Sequence, residues 1–309
     1  MNPKIFRYVA SGATFILLVY VIFTHRGGLA QLKLLNPSQM IVAVTLAGMA
    51  LVINSCVWFF ILKVTTERDI SFNRTTKILL VANLVRFIPG GIWQYPSKAL
   101  MLARVGIKIE DFTKVMLVEA IFSIIAGILL SLITLIYTPI SSVFFLWIVG
   151  LLMLSILCFF IWRARFTGGA HLTRFRWIKR ILDIGKSVIL TARAKGVILL
   201  TLSLLTFLMP ALTLYYITNT LLNLPLIIGP FILGIYAFSW VIGFVSILTP
   251  SGLGVMEGLL VLYLSRFTTF PSALGIALLF RIVMLTGEAL SSGLLILILY
   301  LRAKFDKSS

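Results

Sequence analysis

The sequence is poor in charge, and poorest in acid. Charged residues fill 12% of 309 positions, about half the ~25% typical of soluble domains. Nine acids stand against 27 Lys and Arg, a formal charge of +18. In a soluble protein that balance would suggest nucleic acid. With 60% apolar residues and a mean hydropathy of +1.10, it describes an integral membrane protein instead, and no nucleic-acid partner is expected. Cys56 and Cys158 both sit in apolar runs and make neither a disulfide framework nor a metal motif. His25 and His171 are too few and too far apart to suggest a metal site. There is no nucleotide-binding glycine loop and no Ser/His/Asp spacing, so no enzyme and no cofactor is expected. An acid/base centre on Glu119 or Glu288 is the enzymatic arrangement left open.

What the chain has in abundance is long apolar runs. Lys4 and Arg7 precede the run 8–23 without a small-x-small cleavage site, so it reads as a retained first helix. Further runs at 40–62, 112–137, 143–162, 197–218 and 272–301 predict six full crossings. Two more stretches are interrupted. One is 77–105, broken at Pro89-Gly90-Gly91 and Pro96. The other is 227–266, broken at Pro250-Ser251-Gly252-Leu253-Gly254. The limb before Pro89 is too short for a ~30 Å core, so the expectation is a re-entrant hairpin. The same reading applies, with a longer first limb, to the second stretch.

With the N-terminus in the cytoplasm, 22 of the 27 cations fall on the inner side of this scheme, as the positive-inside rule requires. Counting both broken stretches as full spans would put the nine cations of 163–196 outside. Within that segment Trp177, Ile178, Ile181, Leu182, Val188 and Ile189 recur at helical spacing between Arg and Lys. The pattern predicts a basic amphipathic helix in the inner interface. The expected organisation is one membrane domain over 1–309. It comprises a helix pair (1–62), a first half (63–162), the basic helix (163–196) and a second half (197–309). The expected location is a bacterial or archaeal cytoplasmic membrane, both termini in the cytoplasm.

The two breaks share a shape: an apolar limb, Pro-small-Gly, an amphipathic limb, then a long helix bearing an acid, Glu119 or Glu288. Three crossings lie between them, so the hairpins would dip from opposite sides. That is the layout of an inverted-topology repeat, an all-α transporter plan with its site near the midplane. Arg86, Glu119, Glu257, Arg281 and Glu288 all lie inside apolar segments. Facing lipid at mid-depth, the five would cost on the order of 12–17 kcal/mol. They should therefore face a polar cavity or pair with one another. Arg281 and Glu288 are two turns apart, too far to pair directly.

A helix restarting near Tyr95-Pro96 would offer free N–H groups to an anion. Arg86 and Lys98 would stand beside it, with Trp93, Gln94 and Tyr95 supplying polar edges. Glu257 would occupy the first turn after Gly254, either offsetting the helix dipole or acting as a cation or proton partner.

Two blocks of sequence carry a resemblance. They are Arg86-Phe-Ile-Pro-Gly-Gly-Ile-Trp-Gln-Tyr-Pro-Ser-Lys98 with Leu102-Ala-Arg-Val-Gly-Ile107, and Thr249-Pro-Ser-Gly-Leu-Gly-Val-Met-Glu257-Gly. In order and spacing they resemble the transmembrane flippase domain of lysylphosphatidylglycerol synthases, which also occurs as stand-alone membrane proteins. The resemblance implies a helical bundle with re-entrant helices that moves an aminoacylated phospholipid from the inner to the outer leaflet. It places Arg86, Gln94, Arg104 and Glu257 at motif positions. No soluble aminoacyl-transfer domain accompanies the match, so lipid synthesis is not carried over.

The expected substrate is an anionic or polyprenyl-linked lipid. Expected partners are a second copy and a synthase or glycosyltransferase. The candidate site joins Arg86, Pro89, Gly90, Gly91, Trp93, Gln94, Tyr95, Lys98, Arg104, Glu119, Pro250, Gly252, Gly254, Glu257, Arg281 and Glu288. Ion-coupled transport of a small anion, and a non-transporting or lipid-modifying subunit, stay open as alternatives.

Overall fold

The computed structural model describes residues 35–66, 70–85, 94–134, 176–245 and 254–305. These residues are helical apart from short turns, with no strand among them. In chain order the helices are α1 (Pro37–Thr66), α2 (Phe72–Val85), α3 (Gln94–Ala103), α4 (Ile109–Ser131) and α5 (Arg176–Leu222). A 3-10 turn at Leu226–Ile228 leads into α6 (Gly229–Val245), followed by α7 (Val255–Leu264) and α8 (Phe270–Phe305).

Five described segments are long and apolar enough to cross a membrane: Pro37–Thr66, Ile109–Ser131, Arg193–Leu222, Leu226–Val245 and Phe270–Ile298. The protein is a polytopic all-α membrane protein. Four of these segments coincide with expected crossings, while 8–23 and 143–162 lie outside the described residues. The fifth departs from expectation. The first limb of the second broken stretch runs without interruption from Leu226 to Val245, twenty residues or ~30 Å. It therefore has the length of a full crossing. By contrast α2 and α3, at 14 and 10 residues, reach only ~21 and ~15 Å.

Local chemistry explains the helix ends. Pro37 occupies the first turn of α1, and Gln39 Oε1 accepts the Asn36 N–H at 2.9 Å, one half of a capping box. Glu110 and Asp111 stand in the first turn of α4, against the positive end of its dipole. Inside the spans, hydroxyls such as Ser55, Thr213 and Thr218 donate to the carbonyl four residues back. That answers polar groups where no water can. Large apolar side chains face outward, Val197 being 81% exposed and Leu290 61%, as lipid-facing residues should.

Among the described residues two apolar cores form, and α1 and α5 contribute to both. One gathers Val57, Trp58, Ile61 and Leu62 of α1 with α2, α3, α4 and Leu199 of α5. The other gathers Ala43 and Ala47 of α1 with Phe207, Leu214 and Ile217 of α5 and the helices α6 to α8. Each central helix thus lends one end to each core. The hairpins are exchanged as well: α2 packs on α8, and α6 packs on α4.

The basic segment is helical from Arg176 and runs into the span of α5, with non-helical geometry at Lys195 (φ −132°, ψ 15°). Lys195 Nζ donates to the Val64 carbonyl at 2.9 Å and fastens this bend to the end of α1.

Candidate functional site

A cavity of about 190 Å³ opens where the two cores meet. It is walled by Asn54 and Trp58 of α1, Asn83 of α2, Glu119 and Ser123 of α4, Thr206 and Pro210 of α5, Tyr236 and Trp240 of α6, and Glu288 of α8. Glu119 stands ten residues into α4, and Tyr236 ten residues into the segment Leu226–Val245. At ~1.5 Å per residue both are ~15 Å from a helix end, near the middle of a ~30 Å core.

Polar contacts run outward from this cavity on both sides. Toward the first hairpin, the Trp58 indole N–H donates to Glu119 Oε2 at 3.1 Å. Lys98 of α3, buried, places its ammonium 5.4 Å from the centroid of the Trp58 ring. Toward the second hairpin, Tyr236 lies within the electrostatic reach of both Glu288 and Arg281. Arg281 Nη1 in turn is 3.4 Å from Glu257 Oε1, and Glu257 Oε2 accepts the Gly254 N–H at 2.8 Å. One string of ionisable and aromatic groups thus joins α3 to α7 through the cavity.

The expected site residues divide accordingly. Glu119 and Glu288 share the cavity, with Lys98 beside the first and Arg281 beside Tyr236. Arg281 and Glu288, two turns apart in α8, both act electrostatically on Tyr236. Glu257 caps the start of α7 and pairs with Arg281, an internal ion pair between α7 and α8. Gly254 has φ +85°, a conformation glycine adopts without cost.

Arg104 goes elsewhere. It is exposed at the end of α3, where Ile107 N bonds Leu102 O at 3.1 Å and Gly106 N bonds Ala103 O at 3.1 Å. With Gly106 at φ +83° and Leu102 and Ile107 both buried, this is a Schellman cap. The block from Leu102 to Ile107 is therefore a helix stop, and Arg104 does not line the cavity. Tyr95 is exposed in the first turn of α3, and Gln94 begins that helix. Arg86, Pro89, Gly90, Gly91, Trp93, Pro250 and Gly252 lie outside the described residues.

Sequence reasoning about charge passed over Asn54, Trp58, Asn83, Pro210, Tyr236 and Trp240. Uncharged polar residues and a proline in the middle of apolar runs were the available signal. A search of curated proteins finds no match to the chain. The family described as lysylphosphatidylglycerol synthase TM region matches residues 8–290, which takes in both hairpins, the cavity and the first 21 residues of α8. The chain belongs to that family.

Proposed function

We propose that the protein moves a lipid bearing a polar, phosphate-containing headgroup between the leaflets of a cytoplasmic membrane. The substrate is an anionic phospholipid or another lipid-linked molecule, supplied by a synthase or glycosyltransferase of the same membrane. The observation that carries this reading is the exchanged packing of the hairpins around a polar cavity near mid-depth.

The packing pairs also support an inverted repeat. Let α1, α2, α3 and α4 correspond to α5, α6, α7 and α8. The contact of α1 with α8 then corresponds to that of α5 with α4. Likewise α2 on α8 corresponds to α6 on α4, and α2 on α3 to α6 on α7. Every helix pair in extensive contact has its counterpart under this exchange, and α1 on α5 is its own. Transporters built this way bind between the repeats and alternate by rocking one against the other. In this reading the headgroup phosphate meets Arg86 and Lys98 of the first hairpin, then passes toward Arg281 of α8, which pairs with the second. The short α2 and α3 support a re-entrant first hairpin entered from the cytoplasmic face.

The test is reconstitution. Vesicles containing the purified protein and a fluorescent phosphatidylglycerol should lose outer-leaflet asymmetry faster than protein-free vesicles. Arg86→Ala should slow this by roughly tenfold or more, the loss of one charge-assisted hydrogen bond of ~1.5–3 kcal/mol. Wild-type rates in both Arg86→Ala and Glu257→Gln would overturn the site. Uptake of a soluble anion with no lipid movement would overturn the function.

A further inference from the structure

The second limbs of the two hairpins are seated to different depths. On α7 the side chains of Glu257, Leu260, Val261, Tyr263 and Leu264 are buried. Tyr263 meets Phe231 and Phe238 of α6 edge to face, with ring centroids 6.3 and 5.8 Å apart. On α3, among the described side chains, Lys98 and Leu102 are the buried ones, four residues apart on one face. Tyr95, Pro96, Leu100 and Ala103 are exposed, Leu100 by 68%. One of the inward anchors of α3 is thus a charge. Elements with few buried apolar contacts open at the lowest cost, so α3 is the looser limb.

The charged anchor has a defined seat. Lys98 is 9% exposed, and its ammonium lies 5.4 Å from the centroid of the Trp58 ring. It also stands within electrostatic reach of Glu119, whose Oε2 accepts the Trp58 indole N–H at 3.1 Å. Trp58 meets the cation with its face and the carboxylate with its edge, as the charge distribution of the ring favours. Both Trp58 and Glu119 wall the cavity. The far end of α3 is fixed differently. There Leu102 and Ile107 close the helix cap and sit in the first core. An apolar pivot at one end, with a polar latch one turn away, makes a lever of the helix.

We propose that α3 is the gate to this cavity. It pivots on Leu102 and Ile107 and is latched by Lys98 against Trp58 and Glu119. When the latch opens, α3 uncovers the cavity wall at Trp58, while α7 stays seated. Access to the cavity is then governed by a lysine that is not among its lining residues. The gate is read from packing and does not depend on which substrate the protein moves.

The test uses purified full-length protein in nanodiscs and follows hydrogen–deuterium exchange helix by helix. In the wild type α3 should exchange roughly tenfold or more faster than α7. Lys98→Gln keeps a long polar side chain without the charge. Glu119→Gln, on a different helix, keeps an oxygen for Trp58 and removes the charge that faces Lys98. Each should speed the exchange of α3 several-fold, with α5 and α7 unchanged as an intact fold requires. Thiol labelling then reads whether α3 guards the cavity. Ser123→Cys places a thiol on the cavity wall, in protein whose Cys56 and Cys158 are replaced by serine. An uncharged, water-soluble maleimide should label it several-fold faster when Lys98→Gln is added. The proposal is overturned if α3 and α7 exchange alike in the wild type, if neither substitution loosens α3, or if α3 loosens without faster labelling.

Discussion

Glu257→Ala should destabilise the folded protein by roughly 3–5 kcal/mol, the cost of stripping one partner from a buried ion pair. Its carboxylate makes two contacts at once. Oε2 takes the Gly254 N–H at the start of α7, and Oε1 holds Arg281. Alanine would leave that N–H without an acceptor and a guanidinium without its counter-charge in the middle of α8. Glu257 is 7% exposed and Arg281 27%, so the loss belongs near the lower end of the range.

The cap and the charge can be separated. Glu257→Gln keeps an oxygen for Gly254 but no charge for Arg281, and should fall between wild type and alanine. Pairing it with Arg281→Met removes the orphaned cation and should recover most of the difference. Thermal unfolding of the four proteins in one detergent checks the series. A Glu257→Ala protein that melts with the wild type would mean that the pair contributes nothing to folding.

Gly287→Val is the second large effect expected, and its cause is steric. A Cβ built on Gly287 would lie 2.5 Å from Ala47 Cβ, 2.7 Å from the Val44 carbonyl and 2.9 Å from the Gly48 nitrogen. Two of those three atoms are backbone, so no rotamer change relieves the clash, and α8 must move away from α1. On the facing helix, a Cβ on Gly48 would run into Ser291. Such glycine contacts let membrane helices approach closely, where packing rather than the hydrophobic effect drives association. Overpacking costs roughly 1–3 kcal/mol for small additions, so Gly287→Ala should sit in that range and valine beyond it. Gly293 is the control on the same helix. A Cβ placed there would meet nothing within 4 Å, so alanine at this position should be neutral or stabilise by up to ~1 kcal/mol. Equal melting of the Gly287 and Gly293 variants would refute the close approach.

The fold was legible where the signal is local. Hydropathy located four of the five described spans, and the Pro/Gly interruption marked the short limbs α2 and α3. The restart after Gly254 placed Glu257 in a first turn, where it caps α7. What could not be read is what depends on contacts between distant segments. Trp58 and Glu119 are 61 positions apart, and no local pattern announces that an indole N–H will meet a carboxylate. Hydropathy marks α4 as apolar all round and gives no hint of which side α6 will cover. The block from Leu102 to Ile107 read as a place to seek a binding arginine. Its spacing follows instead from ending a helix, with Gly106 supplying the positive φ and two buried side chains closing the cap. Pro210 lies within an apolar run of the sequence, and only the folded chain sets it around the same cavity as Thr206, Glu119 and Glu288.

The exchange of hairpins between halves has a consequence for how the chain is made. α2 ends at Val85 and its partner α8 begins at Phe270, 185 residues later. At the ~5–20 residues per second of translation, α2 waits roughly 10–40 s for the helix it will lie against. During that time the first hairpin has α1 and α4 beside it but not α8. α6, by contrast, is synthesised after α4 and finds its seat already present. The two hairpins, related in architecture, therefore mature in opposite circumstances. Chain truncations ending before Phe270 should leave the first hairpin exposed to protease while any truncation retaining α4 and α6 keeps their contact.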